Sequence, residues 1–150
     1  MIVVSAHAAA TLFMAGIIWF VQVVHYPLLA DVGVDSFVAY ERANTRLTGY
    51  VVGPPMVIEG VTALWLFFAP PAGIDRWVAF VALGLLGVIT IATIAFSVPA
   101  HAQLSASWDP AVTERLISTN WIRTIGWTLR GAIAIWMLHL VATASRSATP

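Results

Sequence analysis

Four long apolar runs constrain this chain more than any other feature. Residues 2–24, 50–69, 77–98 and 121–142 each approach the ~20 apolar residues with which an α-helix crosses a bilayer, and the segments between them are short. Lipid offers the backbone no hydrogen bonds, so a run of this length spans as a helix that satisfies its own. The remaining composition agrees, with 60% hydrophobic residues, 9% charged residues and a mean hydropathy of +0.89. A water-soluble domain is nearly excluded. The expected fold is therefore all-α, an integral membrane four-helix bundle. Residues 1–142 form one four-span domain, and residues 143–150 make a small polar tail expected to be disordered.

The breaks between runs are chemically distinct. The first run has no Lys or Arg to start a secretory signal and leads into His25-Tyr26-Pro27, so it reads as a retained span. Pro54-Pro55 interrupts the second run and predicts a kink or restart. Pro70-Pro71-Ala72-Gly73 is a stop, and Asp109-Pro110 reads as an N-cap followed by proline at the first helical position. Two short helical connections, residues 35–48 and 110–120, fall on the same membrane face, and the second is expected to run into the fourth span. In the first, Phe37, Tyr40 and Leu47 share one side while Arg42 and Arg46 take the other.

Charge removes several function classes. Seven Arg balance seven acidic residues and Lys is absent, which leaves no basic surface for nucleic acid. The absence of Cys removes disulfides, thiolate metal sites and iron–sulfur clusters. The expected partners are the lipid bilayer and a lipophilic small molecule, with a homo-oligomer left open; the expected compartment is a bacterial inner membrane. Arg42, Arg46, Arg115 and Arg123 on the connecting face outnumber Arg76 and Arg146 on the other, which predicts both termini outside the cytoplasm.

An ionisable side chain inside a span costs roughly 2.5–3.5 kcal/mol on insertion scales, so each needs a partner or a purpose. Glu59, Arg123 and Arg130 are in this position. A buried Glu59–Arg130 ion pair that locks two helices is the simplest account of that pair. Asn120, Arg123, Trp127 and Arg130 fall within an arc of roughly 80° on the fourth span, a stripe that must face protein or water. It is either a polar seam that fixes register or the wall of a pocket for an anionic or carbonyl-bearing ligand. His25 ends the first run and His101 the third, so both reach the connecting face, where Glu59, Asn120 and Arg123 are also expected. Glu41 and Asn44 lie on the inward side of the first connection, where they could cover this layer. His7 and His139, near the opposite face, read as structural or interfacial.

Three functional readings compete. In the first, the chain is a membrane oxidoreductase for a lipophilic aromatic or quinol-like substrate. His25, Glu59, His101 and Arg123 would carry the chemistry, while Tyr26, Glu41, Asn44, Asn120, Trp127 and Arg130 would bind substrate. His25, Glu59 and His101 would also suit a divalent transition metal, iron or copper, with zinc a further option. In the second, the bundle is structural or accessory, and its buried charges only specify helix pairing. A third option keeps His25 and His101 as axial ligands of a haem. The cofactor stays open between a metal, haem and none.

At His25-Tyr26-Pro27, at Pro99 and His101, and at Asn120-Trp121 with Arg123, the sequence resembles the DUF1772 group of small four-span bacterial membrane proteins, to which anthrone-oxygenase-like proteins belong. The resemblance covers nearly the whole chain. It implies an oxygen-dependent oxidation of a polycyclic aromatic substrate or a related activity. It also admits a route without cofactor, in which the substrate anion reacts with oxygen directly, Arg and Asn stabilise the enolate oxygen, and His25 or His101 removes the proton. Asn44 stands where a third histidine would have strengthened a metal site.

Overall fold

A computed structural model describes residues 1–147 and contains four helices: α1 Ile2–Leu29, α2 Val34–Phe68, α3 Arg76–Leu104 and α4 Pro110–Ser147. Each is long and apolar enough to cross a membrane, and among the described residues there is no strand. The fold is the expected all-helical membrane bundle. Short turns join the helices, so neighbours in sequence run antiparallel.

The four helices form a ring in which α1 packs against α2 and α4, and α3 packs against the same two. No Cα of α1 comes within 8 Å of α3, and none of α2 within 8 Å of α4. Only long side chains can cross those two diagonals, and polar ones do so. Apolar residues fill the rest in three levels. Val4, Leu66, Val78 and Met137 occupy the end near the termini; Met14, Ile18, Ile89 and Trp127 lie in the middle; and Tyr26, Leu29, Phe37, Leu104 and Leu116 close the connecting end. Between membrane helices the attraction comes from close packing rather than from water exclusion, so small residues at contacts matter. Gly126 is one: a Cβ there would stand 2.7 Å from Ile89 Cγ1. Gly73 is another, since its φ of 92° turns the chain between α2 and α3 against the backbone of Leu140.

Both connections are the opening turns of spanning helices. Asp109 caps α4 as expected, its Oδ1 accepting from the backbone N–H of Ala111 at 2.9 Å. The first connection differs from expectation, because α2 runs unbroken through Pro54 and Pro55 for 35 residues, about 52 Å at 1.5 Å per residue. The prolines remove two ladder bonds, but they lie beside Ala10 and Phe13 of α1, and the helix continues. The tail also differs: residues 143–147 continue α4, and residues 148–150 of the expected disordered tail lie outside the described residues.

α1 and α3 share a local device that hydropathy does not announce. Each contains a π turn, Val21–His25 and Thr93–Ser97, with a proline two residues further on, Pro27 and Pro99. The N–H of Tyr26 reaches back five residues to the Val21 carbonyl, and that of Val98 does the same to Thr93. The wider turn takes in one extra residue just before a residue that cannot donate. It thereby rotates the end of the turn and the residues beyond it, which include His25, Tyr26 and His101.

Candidate functional site

The polar side chains inside the bundle form two networks at different depths. At the connecting end, Glu41 of α2 is fully buried and its Oε1 lies 2.5 Å from His101 Nδ1 of α3. Asn44 Nδ2 and Thr45 Oγ1 also donate to this carboxylate, each at 3.2 Å. The other ring nitrogen, Nε2 of His101, is 3.1 Å from the Tyr26 hydroxyl of α1. Beside that hydroxyl stands Arg123 of α4, which donates from Nη1 to Ser97 Oγ at 2.5 Å. A chain of contacts thus runs Glu41, His101, Tyr26, Arg123 and links all four helices. His25 lies at its edge, next to Asn44.

Charge in this network balances in one protonation state. With His101 neutral, Glu41 supplies one negative charge and Arg123 one positive charge. Among the described residues Arg123 makes no ion pair, and its buried Nε has no partner. A guanidinium that lines a cavity and has no carboxylate partner suits an oxygen anion brought from outside the protein.

The second network lies deeper, on the α2–α4 diagonal. Glu59 Oε1 accepts from Arg130 Nε at 2.9 Å and from Thr11 Oγ1 at 2.9 Å, while Oε2 accepts from Trp127 Nε1 at 3.1 Å. Arg130 Nη2 completes the ion pair at 2.8 Å, and Nη1 donates to the Ala82 carbonyl. Glu59 is 0% and Arg130 1% exposed. The expected ion pair exists and is enclosed. His7 joins the surroundings through a 2.9 Å contact of Nδ1 with Thr62 Oγ1. A buried pair of this kind orders helices relative to one another, since removing one partner strands the other charge.

A cavity of about 190 Å³ lies above the second network and is lined by part of the first. Its polar end carries His25, Tyr26, Asn44, Ser97, His101 and Arg123; its apolar end is Met14, Ile18, Val52, Met56 and Trp127. Trp127 forms the floor, lining the cavity while its N–H donates to Glu59. An engineered cavity of ~150 Å³ takes up benzene, so this volume seats one substituted ring.

The expected site residues therefore divide. His25, Tyr26, Asn44, His101, Arg123 and Trp127 line one cavity, with Glu41 behind His101. Glu59 and Arg130 are outside it, in the enclosed pair. Asn120 is buried nearby but donates to Gln22 Oε1 at 2.9 Å rather than facing the cavity. The metal set of His25, Glu59 and His101 is not assembled: among the described residues no three His, Asp or Glu side chains come together as ligands. Glu59 is held by Arg130 about 21 Å along α1 from the level of His25, taking Thr11 as its neighbour there. Both nitrogens of His101 are engaged as well, by Glu41 and Tyr26, so the donor set fits neither that metal centre nor an axial pair for haem.

Sequence reasoning missed Gln22, Ser97 and Thr11. Gln22 was the easiest to find, as the sole amide in the first apolar run. Ser97 and Thr11 resemble the many small hydroxyl residues that satisfy their own helix carbonyls.

Comparison of the chain with family models, with curated proteins and with solved structures finds no match. The fold and site define an integral membrane helical bundle with an internal amphipathic cavity.

Proposed function

We propose that the protein is a membrane oxidoreductase that deprotonates a one-ring, quinol-like lipophile and passes its electrons to molecular oxygen. The observation that carries this is the chain Glu41, His101, Tyr26, which ends beside Arg123 at the polar end of the cavity. With Glu41 accepting from Nδ1–H of His101, Nε2 is left to accept the Tyr26 proton. The Tyr26 oxygen then takes the proton of a substrate hydroxyl while its own moves to His101, and Arg123 stabilises the ring oxyanion. Glu41 is a positioning residue that also balances the imidazolium formed. The total charge of the network and substrate is unchanged by the transfer, which suits a site of low dielectric. Two electrons and two protons leave the quinol for one oxygen molecule, giving a quinone and hydrogen peroxide.

The resemblance to anthrone-oxygenase-like proteins favours oxygen as the acceptor, and the cavity volume favours one ring over a polycycle. Arg42, Arg46 and Arg115 on the connecting face exceed Arg76 and Arg146 on the other by one residue, which favours placing the connecting face in the cytoplasm. The test is oxygen uptake and peroxide release by proteoliposomes supplied with a methylated one-ring quinol. Uptake above that of empty liposomes is expected, with a fall to background in Tyr26→Phe and Arg123→Met. Wild-type protein that oxidises neither this quinol nor an anthrone any faster than empty liposomes would overturn the assignment.

A further inference from the structure

At the level of the cavity α2 stands away from its neighbours. No Cα of α2 lies within 8 Å of either π turn, whereas α4 approaches both. α2 meets α1 and α3 again below this level, and α3 once more at its connecting end. The cavity therefore lies where α2 is separated from both π turns, and one of its walls is built from Thr45, Thr48, Gly49 and Val52 of that stretch.

Two sides of that stretch could open, and exposure decides between them. On the α1 side, every cavity-lining residue is buried or half-buried, from Met14 to His25. On the α3 side, Val98 lines the cavity and is 57% exposed, and Thr48 and Gly49, which line it from α2, are exposed as well. Gly49 has no heavy atom within 4 Å of where a Cβ would stand, so the space beside it is open. Gly49 lies about 4.5 Å along α2 below Arg46, which sets the opening just beneath the headgroup layer. A lipophile with one polar end rests at that depth, polar end toward the surface. The polar end of the cavity, at Arg123 and Tyr26, is on the same side.

We infer that the cavity opens sideways into the bilayer between Gly49 of α2 and Val98 of α3, and that these two residues set the width of ring admitted. The route would serve the oxidation proposed above, but it rests on the geometry of the cavity wall alone.

Because the chain has no cysteine, a single Ser97→Cys places one thiol in the cavity beside Arg123, whose charge favours the reactive thiolate. Labelling by N-phenylmaleimide carried in the bilayer is compared with labelling by a charged, water-soluble methanethiosulfonate. The maleimide is expected to react faster, and Gly49→Trp or Val98→Trp to slow it at least tenfold. Gly16→Trp, on an open outward position of α1, should leave the rate within twofold. Faster reaction with the charged reagent, an unchanged maleimide rate in both tryptophan variants, or a thiol that reacts only after denaturation would each overturn the lateral opening. Labelling that matches the expected pattern in a protein without quinol oxidation would keep the opening and remove the catalytic proposal.

Discussion

Glu41 and Glu59 are the two buried acids of α2, and about 27 Å of helix separates them. Each belongs to a different network: Glu41 holds His101 from behind the cavity wall, while Glu59 holds Arg130 and is closed off by Trp127. Their substitutions should consequently have opposite signatures.

Glu41→Gln and His101→Asn should lower quinol turnover by about 10²-fold or more, the scale of a lost general base, while keeping helix content near wild type and losing less detergent stability than Glu59→Gln. Turnover is read as oxygen uptake and folding as circular dichroism. Loss of fold together with activity would place Glu41 among the structural groups instead.

Glu59→Gln should do the reverse at the level of stability. Breaking one side of a buried pair costs about 3–5 kcal/mol, whereas replacing both members with apolar residues is far milder. Glu59→Gln alone is expected to unfold early in an SDS titration, and Glu59→Met with Arg130→Leu to recover much of the difference. A double variant no better than the single one would show that Glu59 and Arg130 act independently.

Arg123→Lys keeps the charge but loses the planar fork that meets Ser97 and Tyr26 together. It should bind a quinone at least tenfold more weakly than wild type, and Arg123→Met should bind more weakly still. Equilibrium dialysis in detergent measures this. Equal affinity in all three proteins would remove the oxyanion role.

Pro99→Ala restores an N–H two residues after the π turn and lets Thr93–Ser97 relax toward an ordinary α-turn. Losing the extra residue rotates the following segment by roughly 100° and turns His101 away from Tyr26. The melting temperature should hold or rise, since an interior proline is unfavourable, while turnover falls at least tenfold. Unchanged turnover would mean that the π turn does not aim His101.

The fold was readable because span length and backbone chemistry leave lipid-embedded runs one choice. The ion pair was readable for a similar reason, as Glu59 and Arg130 had no other way to be neutralised. Depth was the part that failed. Apolar runs start where hydropathy changes, but α2 begins at Val34, well before its apolar run, and α1 and α3 continue past theirs to Leu29 and Leu104. His25 and His101 therefore meet the connecting segment, and Glu41, which looked like a cover, is the partner of His101. The π turns were hidden because Pro27 and Pro99 read as helix ends, and only packing from the neighbouring helices carries the chain through them.

Trp127 works as a bulkhead across the middle of the molecule. One compartment keeps the helices in register; the other offers a small, replaceable set of side chains to whatever occupies it. Changes above the indole leave the anchorage beneath it untouched, so the same scaffold has room to take up new chemistry without first being made sturdier.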